Sequence, residues 1–259
     1  MIPKVLPPLT DLTVLVTRPA VQGRSLCAQI EQCGGTAIAF PAIEIEPVAA
    51  EPPANPDGYD LVLFLSVHAV MHGAHLVSLE PPTRVGAIGK ATEAALTERG
   101  HTVHLVPESG FTSESLLAHP ELSSSPVQRV LLVRGEGGRT LLRDFFVERG
   151  ATVDTLEVYR RVRPALDEAL REQVEARWAE DGIDVVTATS VETLTNLIEL
   201  LSERGRNFLR STPLLVPSGR IADAARSAGL QGEIVLARGP DDSSMVGALA
   251  NWHTRARTL

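Results

Sequence analysis

The sequence predicts an α/β chain of two domains, each a parallel sheet with helices on both faces. Three observations predict it. Apolar, mostly non-alternating strand runs take turns with helical patterns from end to end, as expected of strands buried under crossover helices. The chain also contains its own segments twice. Val14-Leu-Val-Thr-Arg18 and Val130-Leu-Leu-Val-Arg134 each open a stretch reading apolar run, Arg, turn, helical pattern, Gly, apolar run; the arginines lie 116 residues apart, as do Gly34 and Gly150. A second pair, Asp60–Val67 and Asp184–Val191, is offset by 124. Such spacings are too long for a solenoid, whose repeats run about 20–50 residues. They mark a duplicated α/β unit, with a ligand cleft expected between the two copies.

In chain order, Val14–Thr17 is a short strand and Gly23–Gln32 a helix, with Leu26 and Ile30 on one face and Gly34-Gly35 as its stop. Thr36–Phe40 is apolar, Ile43–Glu46 alternates, and the proline-rich stretch Ala49–Asp57 is a linker. Strand Leu61–Leu65 leads to a helix through Val70 and Leu76. Strand Val85–Ile88, helix Gly89–Arg99 and strand Val103–Val106 follow. A short helix covers Ser113–Ala118 with Thr112 or Ser113 as N-cap, and Pro120–Pro126 is a loop. The pattern restarts with strand Val130–Val133, helix Arg139–Arg149, strand Thr152–Tyr159 and the amphipathic helix Ala165–Ala179. It ends with strand Asp184–Thr187, helix Val191–Glu203, strand Leu214–Val216, helix Ile221–Ser227, strand Glu233–Ala237 and helix Ser243–His253. The segments Pro41–Pro47 and Leu156–Pro164 correspond in the two repeats. Paired as extended crossings, they give a discontinuous Rossmann-like domain one (1–40 plus 165–259), a domain two (46–157) and linker strands (41–47 and 156–164). Two contiguous halves cut near Ser123–Pro126 are the alternative.

Composition bounds the function. The 259 residues are 44% hydrophobic and 22% charged, ordinary for a globular chain. No run approaches the roughly 18 apolar residues of a membrane span. The segment Met1–Pro8 lacks the apolar core of a secretory signal. Two cysteines, Cys27 and Cys33, suit a reducing cytoplasm. A net charge of −8, without a Lys/Arg stripe, argues against a nucleic-acid surface.

The turns after the strands are the sharpest candidate site: Thr17-Arg18, Ser66-Val67, Gly89-Lys90, Arg134-Gly135, Thr189-Ser190 and Ser218-Gly219. Ligands of open α/β sheets bind beyond the strand carboxyl ends. Helix N-termini there favour anions, and Arg18, Arg24, Lys90, Arg134, Arg139 and Arg220 add charge-assisted bonds. The set reads as a polyanion cleft, although any one Ser or Gly also serves as a cap or turn former. Gly135-Glu-Gly-Gly-Arg-Thr140 is an incomplete dinucleotide fingerprint, with Thr140 in place of the last glycine and Asp154 as the ribose candidate. His68, His72 and His75 share a helical face that reads as solvated rather than metal-binding. No nucleophile elbow is visible.

The ordered motifs Val14–Pro19, Phe40–Ile43, Asp60–Val70, Val85–Thr92, Pro107 with Thr112–Leu117, Val130–Gly135 and Val158–Arg160 closely resemble the uroporphyrinogen-III synthase family over nearly the whole chain. The resemblance implies two α/β domains joined by a two-stranded β ladder. It implies a cyclising lyase of tetrapyrrole (haem) biosynthesis, a monomer, that converts hydroxymethylbilane to uroporphyrinogen III without metal or organic cofactor. The partner is then a linear tetrapyrrole polycarboxylate. Tyr159 matches the proposed general acid. Substrate-binding groups are expected from Arg18, Ser66, Gly89, Lys90, Thr92, Ser113, Arg134, Gly135, Arg139, Thr189, Ser190, Ser218 and Gly219. The chain departs from the family where Pro217-Ser-Gly-Arg-Ile221 lacks a hydroxyl pair, and where His68 stands in place of a common Asn. Two other functions stand beside this one: a two-domain anion-binding or regulatory module without catalysis, and a nucleotide-dependent transferase, which needs a complete glycine-rich loop.

Overall fold

The computed structural model describes residues 7–108, 112–124 and 127–256. Residues 1–6 of the segment read for a signal, and 125–126 of the alternative domain boundary, lie outside the described residues. By its contacts the chain divides into two compact units, Met1–Glu44 with Val162–Leu259, and Ile45–Arg161.

Unit 1 holds a five-stranded sheet of β1 (Thr13–Val16), β2 (Thr36–Ala39), β8 (Val185–Thr187), β9 (Leu214–Val216) and β10 (Ile234–Leu236), in the order β10-β9-β8-β1-β2. All its pairings are parallel. Alternate strand residues feed opposite cores, as a pleated sheet requires. Val14, Val16, Leu215 and Val235 pack against α1 (Ala20–Gln32) and α11 (Asp242–Ala256). Leu15, Val186, Leu214 and Val216 face α7 (Glu168–Ala179), α8 (Val191–Leu200), α9 (Glu203–Ser211) and α10 (Gly219–Ser227).

Unit 2 has the order β3-β7-β6-β4-β5, from β3 (Glu44–Pro47), β4 (Leu61–Phe64), β5 (Arg84–Ala87), β6 (Arg129–Gly135) and β7 (Thr152–Val162). The pairings of β4 with β5 and β6, and of β6 with β7, are parallel. One face packs on α2 (Val67–Gly73) and α3 (Lys90–Thr97). The other packs on α4 (Ser113–Leu117), α5 (Pro120–Ser124) and α6 (Leu141–Glu148).

The duplication extends to topology. Matching β1 to β6, β2 to β7, β8 to β4 and β9 to β5 converts one sheet order into the other, and the Leu105 bridge to Gly86 stands where β10 does. Among the matched strands chain order differs only by a permutation, and β3 has no counterpart in the unit 1 sheet. The register agrees: Thr13 pairs with Thr36, and 116 residues on, Arg129 pairs with Thr152. Asp184 accepts a hydrogen bond from the Thr13 N–H at 2.7 Å, and Asp60 accepts one from Arg129 N–H at 2.9 Å, so the same carboxylate ties the same strand start in both units.

Several expected elements differ. The helix expected over Val191–Glu203 ends at Leu200, and a second helix, α9, starts at Glu203, because Ser202 leaves helical backbone to cap α9 while donating to Glu175 at 2.6 Å. The Ala165–Ala179 helix starts at Glu168, behind the Asp167 cap on Leu170 N–H. The Pro120–Pro126 loop holds α5, with proline at the first helical position, where its missing N–H costs nothing. Val103–Val106 contributes only the bridge at Leu105.

Candidate functional site

In an open parallel sheet, ligands favour the strand carboxyl ends where the order reverses. In unit 2 that point lies between β4 and β6. There β4 runs through Leu65 into Ser66, whose extended backbone and hydroxyl cap α2 by accepting from Ala69 N–H at 3.0 Å. Beside it, the register of β6 with β7 slips between Arg134 and Gly135, so Gly135 faces Tyr159 instead of the next residue in register. Such a bulge re-aims a side chain. Ser66 Oγ donates to the Tyr159 hydroxyl at 3.0 Å, and Glu136 N–H donates to the Tyr159 carbonyl at 2.8 Å. Tyr159 is only 4% exposed. Its ring lies 5.5 Å from that of His68 and 6.4 Å from that of His72. A Cβ at Gly135 would sit 2.6 Å from Tyr159 Cε2 and Cζ, so the ring's seat requires glycine there.

His68 is buried, 6% exposed, and burial holds its imidazole below the ordinary value, with His72 and Arg161 adding to the effect. This corrects the expectation of a solvated histidine face at two of its three positions: His68 is a core residue against Tyr159 and His72 is half-buried, while His75, past the end of α2, is exposed as expected. Among the described residues no cluster of His, Cys, Asp or Glu is arranged to hold a metal.

The remaining unit 2 candidates form a looser group. Arg134 folds back, donating from Nε to the Gly135 carbonyl and from Nη1 to the Arg139 carbonyl, both at 3.1 Å, so it braces the Gly135–Thr140 turn. It also lines a groove of about 420 Å³ with Gly137, Gly138, Thr140, Arg143, Thr155 and Glu157. Arg139 pairs with Glu114, whose carboxyl that hydrogen bond holds below its ordinary value. Ser113 opens α4, but Thr112 supplies the cap. Gly89 precedes α3, Lys90 is exposed and pairs with Glu93 at 2.9 Å, and Thr92 is buried.

In unit 1 the order reverses between β1 and β8. Ser190 caps α8 through Thr193 N–H at 2.9 Å, next to half-buried Thr189. Ser218 precedes α10 without a side-chain capping bond, and the space beside Gly219 is open. Arg18 differs from its expected role. Its side chain is 7% exposed and bonds Asp242 and the Pro240 carbonyl, which makes it a clamp on the start of α11.

Asp154, the ribose candidate, accepts instead from Tyr59 at 2.9 Å and Arg129 at 3.4 Å, near the amino ends of the strands. Burial, with that hydrogen bond second, pushes the Tyr59 phenol up to about 12. The contacts of Ser66 and His68 with Tyr159 escape sequence reasoning because 93 residues separate Ser66 from its partner.

The chain as a whole is similar to known proteins. The family model described as "Uroporphyrinogen-III synthase HemD" matches residues 24–247. Uroporphyrinogen-III synthase of Salmonella typhimurium is 34% identical over 250 residues, covering 92% of this chain and 100% of that protein. The Escherichia coli protein of the same name gives the same identity and coverage, 34% over 250 residues. Among solved structures, uroporphyrinogen-III synthetase from Helicobacter pylori superposes with a TM-score of 0.59 at 14% identity, covering 93% of this chain and 99% of that one. A mutant uroporphyrinogen III synthase from Thermus thermophilus gives 0.56 at 22% identity, over 95% of this chain and 99% of the other. The two structures share the α/β fold of parallel sheets flanked by helices, and the sequence matches span most of the chain: it belongs to the uroporphyrinogen-III synthase family.

Proposed function

We propose that this chain cyclises hydroxymethylbilane to uroporphyrinogen III with loss of water and inversion of ring D, a lyase reaction. The observation that carries the reading is the Tyr159 hydroxyl held by Ser66 at the sheet reversal of unit 2. The hydroxymethyl group leaves as water once a general acid protonates it, and Tyr159 is that acid. The azafulvene left behind is an electrophile. The substituted carbon of ring D attacks it to give a spiro intermediate, which fragments and recloses inverted.

Linear substrate also closes unaided, without inversion. The protein's larger contribution is therefore to hold one folded substrate conformation, a proximity effect of several kcal/mol. Substrate carboxylates are the natural ligands of the strand-end turns at Ser66, Gly89, Gly135, Thr189 and Ser218, where N–H groups and helix N-termini favour anions. Segment β3 beside β7 supports the reading of these crossings as a two-stranded link between the units.

The test is to supply hydroxymethylbilane, oxidise the products and resolve isomers I and III. Isomer III in excess of the spontaneous background is expected. Isomer I alone overturns the reading. Tyr159→Phe is expected to slow turnover, and unchanged turnover rejects the acid.

A further inference from the structure

We propose that Ser66 is the positioning residue of Tyr159, donating its hydroxyl proton to the phenol oxygen so that the phenol's own proton points away and its anion is stabilised once that proton leaves. The inference rests on the reading of Tyr159 as general acid.

The duplication supplies an internal control. Ser66 and Ser190 are equivalent at the 124-residue offset, and each caps its helix by accepting from the N–H three residues on, Ala69 at 3.0 Å and Thr193 at 2.9 Å. That bond uses one lone pair of the serine oxygen and leaves its single proton for another acceptor. In unit 1 the buried Thr193 hydroxyl lies 2.8 Å from Ser190 Oγ, and the two hydroxyls bond to each other, with either able to donate. In unit 2 the equivalent of Thr193 is Ala69, which has no hydroxyl. There the serine proton reaches Tyr159 at 3.0 Å instead. At the 116-residue offset the counterpart of Tyr159 is Ile43, which cannot accept a hydrogen bond. The two differences compensate: where the tyrosine is present the competing hydroxyl is absent, and where the tyrosine is absent the threonine fills in. A serine needed only as a cap would not require either change.

Burial gives the bond its consequence. A phenolate forming at a site only 4% exposed loses most of its hydration. A donor already aimed at the developing charge lowers that cost without rearranging as the proton leaves. Gly135 and His68 fix the ring, and Ser66 fixes the hydroxyl.

Glycine is nearly as good an N-cap as serine, so Ser66→Gly removes the donor and spares the helix, while Ser66→Thr keeps both. In kinetics on hydroxymethylbilane, Ser66→Gly is expected to lower kcat about tenfold, with a smaller change in KM because the N–H groups of the turn remain. Ser66→Thr is expected to retain most of the rate, and Ser66→Gly to cost nothing further in a Tyr159→Phe background. An equal loss in both backgrounds overturns the proposal but leaves the acid standing. Unchanged turnover in Tyr159→Phe alone overturns the acid role, and with it the catalytic part of the proposal. A second measurement is independent of activity. The chain has two tyrosines, so Tyr59→Phe isolates Tyr159, and the tyrosine doublet in the ultraviolet Raman spectrum reports whether its oxygen accepts a bond. The doublet is expected to change on Ser66→Gly; an unchanged doublet overturns the hydrogen bond itself.

Discussion

Replacing Gly135 with alanine tests whether the Tyr159 seat is as tight as its geometry states. The backbone there lies outside the left-handed region, so the perturbation is steric. The added methyl carbon would stand 2.6 Å from Cε2 and Cζ of Tyr159, against an ordinary carbon contact of about 3.5–4.0 Å. The ring must retreat by about 1 Å, and a 3.0 Å hydrogen bond to Ser66 stretched that far is broken. Overpacking costs about 1–3 kcal/mol, and the lost hydrogen bond about 1 kcal/mol. Together they predict a loss of about 2–4 kcal/mol in unit 2, a fall of about 1 M or more in its urea midpoint. Far-ultraviolet circular dichroism follows the change. The tryptophans, Trp178 and Trp252, both lie in unit 1 and give fluorescence an internal reference. Isomer III formation should fall in parallel. A midpoint and a turnover both equal to the parent's would refute the wedge of Tyr159 against Gly135.

Gly219→Ala makes the opposite case: no atom lies within 4 Å of the new methyl at the first residue of α10, so the melting temperature should rise with a gain of about 0.4–1 kcal/mol. Arg18→Ala should cost about 1–3 kcal/mol by removing the charged partner of half-buried Asp242, which keeps its bonds from Ser25 and Gln29; a weakened substrate KM with full stability would point to Arg18 as a ligand. His68 gives a pH signature. Its folded-state value lies below the unfolded one of about 6.5, so the stability it contributes is complete above about 6.5 and is lost as pH falls through the lower folded value. The urea midpoint should therefore decline on acidification below that point, and His68→Asn should flatten the decline; equal slopes would remove His68 as its cause.

Much of the fold is legible in the chain because both signals behind it are local or repetitive. Strands buried on both faces read as continuous apolar runs, as at Leu61–Phe64 and Val130–Val133, each wholly buried. The α8–α9 break was hidden because the carboxylate that holds it, Glu175, lies 27 residues before Ser202. The strand near Leu105 was overread because an apolar run does not reveal how much of it finds a pairing partner.

The site divides in the same way. Strand-end positions follow from where apolar runs stop, so Ser66, Arg134, Gly135 and Ser190 were identifiable as turn residues from the sequence. What each side chain does there was not. Arg18 and Arg134 occupy equivalent places in the duplication, yet one is clamped by Asp242 and the other braces its own turn, since their partners come from segments that share no local pattern. The sequence by itself determined the α/β class, the duplication and the family, because hydrophobic period and motif order are written along the chain. Only the tertiary structure decided that Ser66 and Tyr159 form a pair, that His68 is buried beside them, and that Gly135 leaves room for the ring. Hydrogen bonds and close contacts depend on distances across the sheet, and those exist only once β4, β6 and β7 lie side by side.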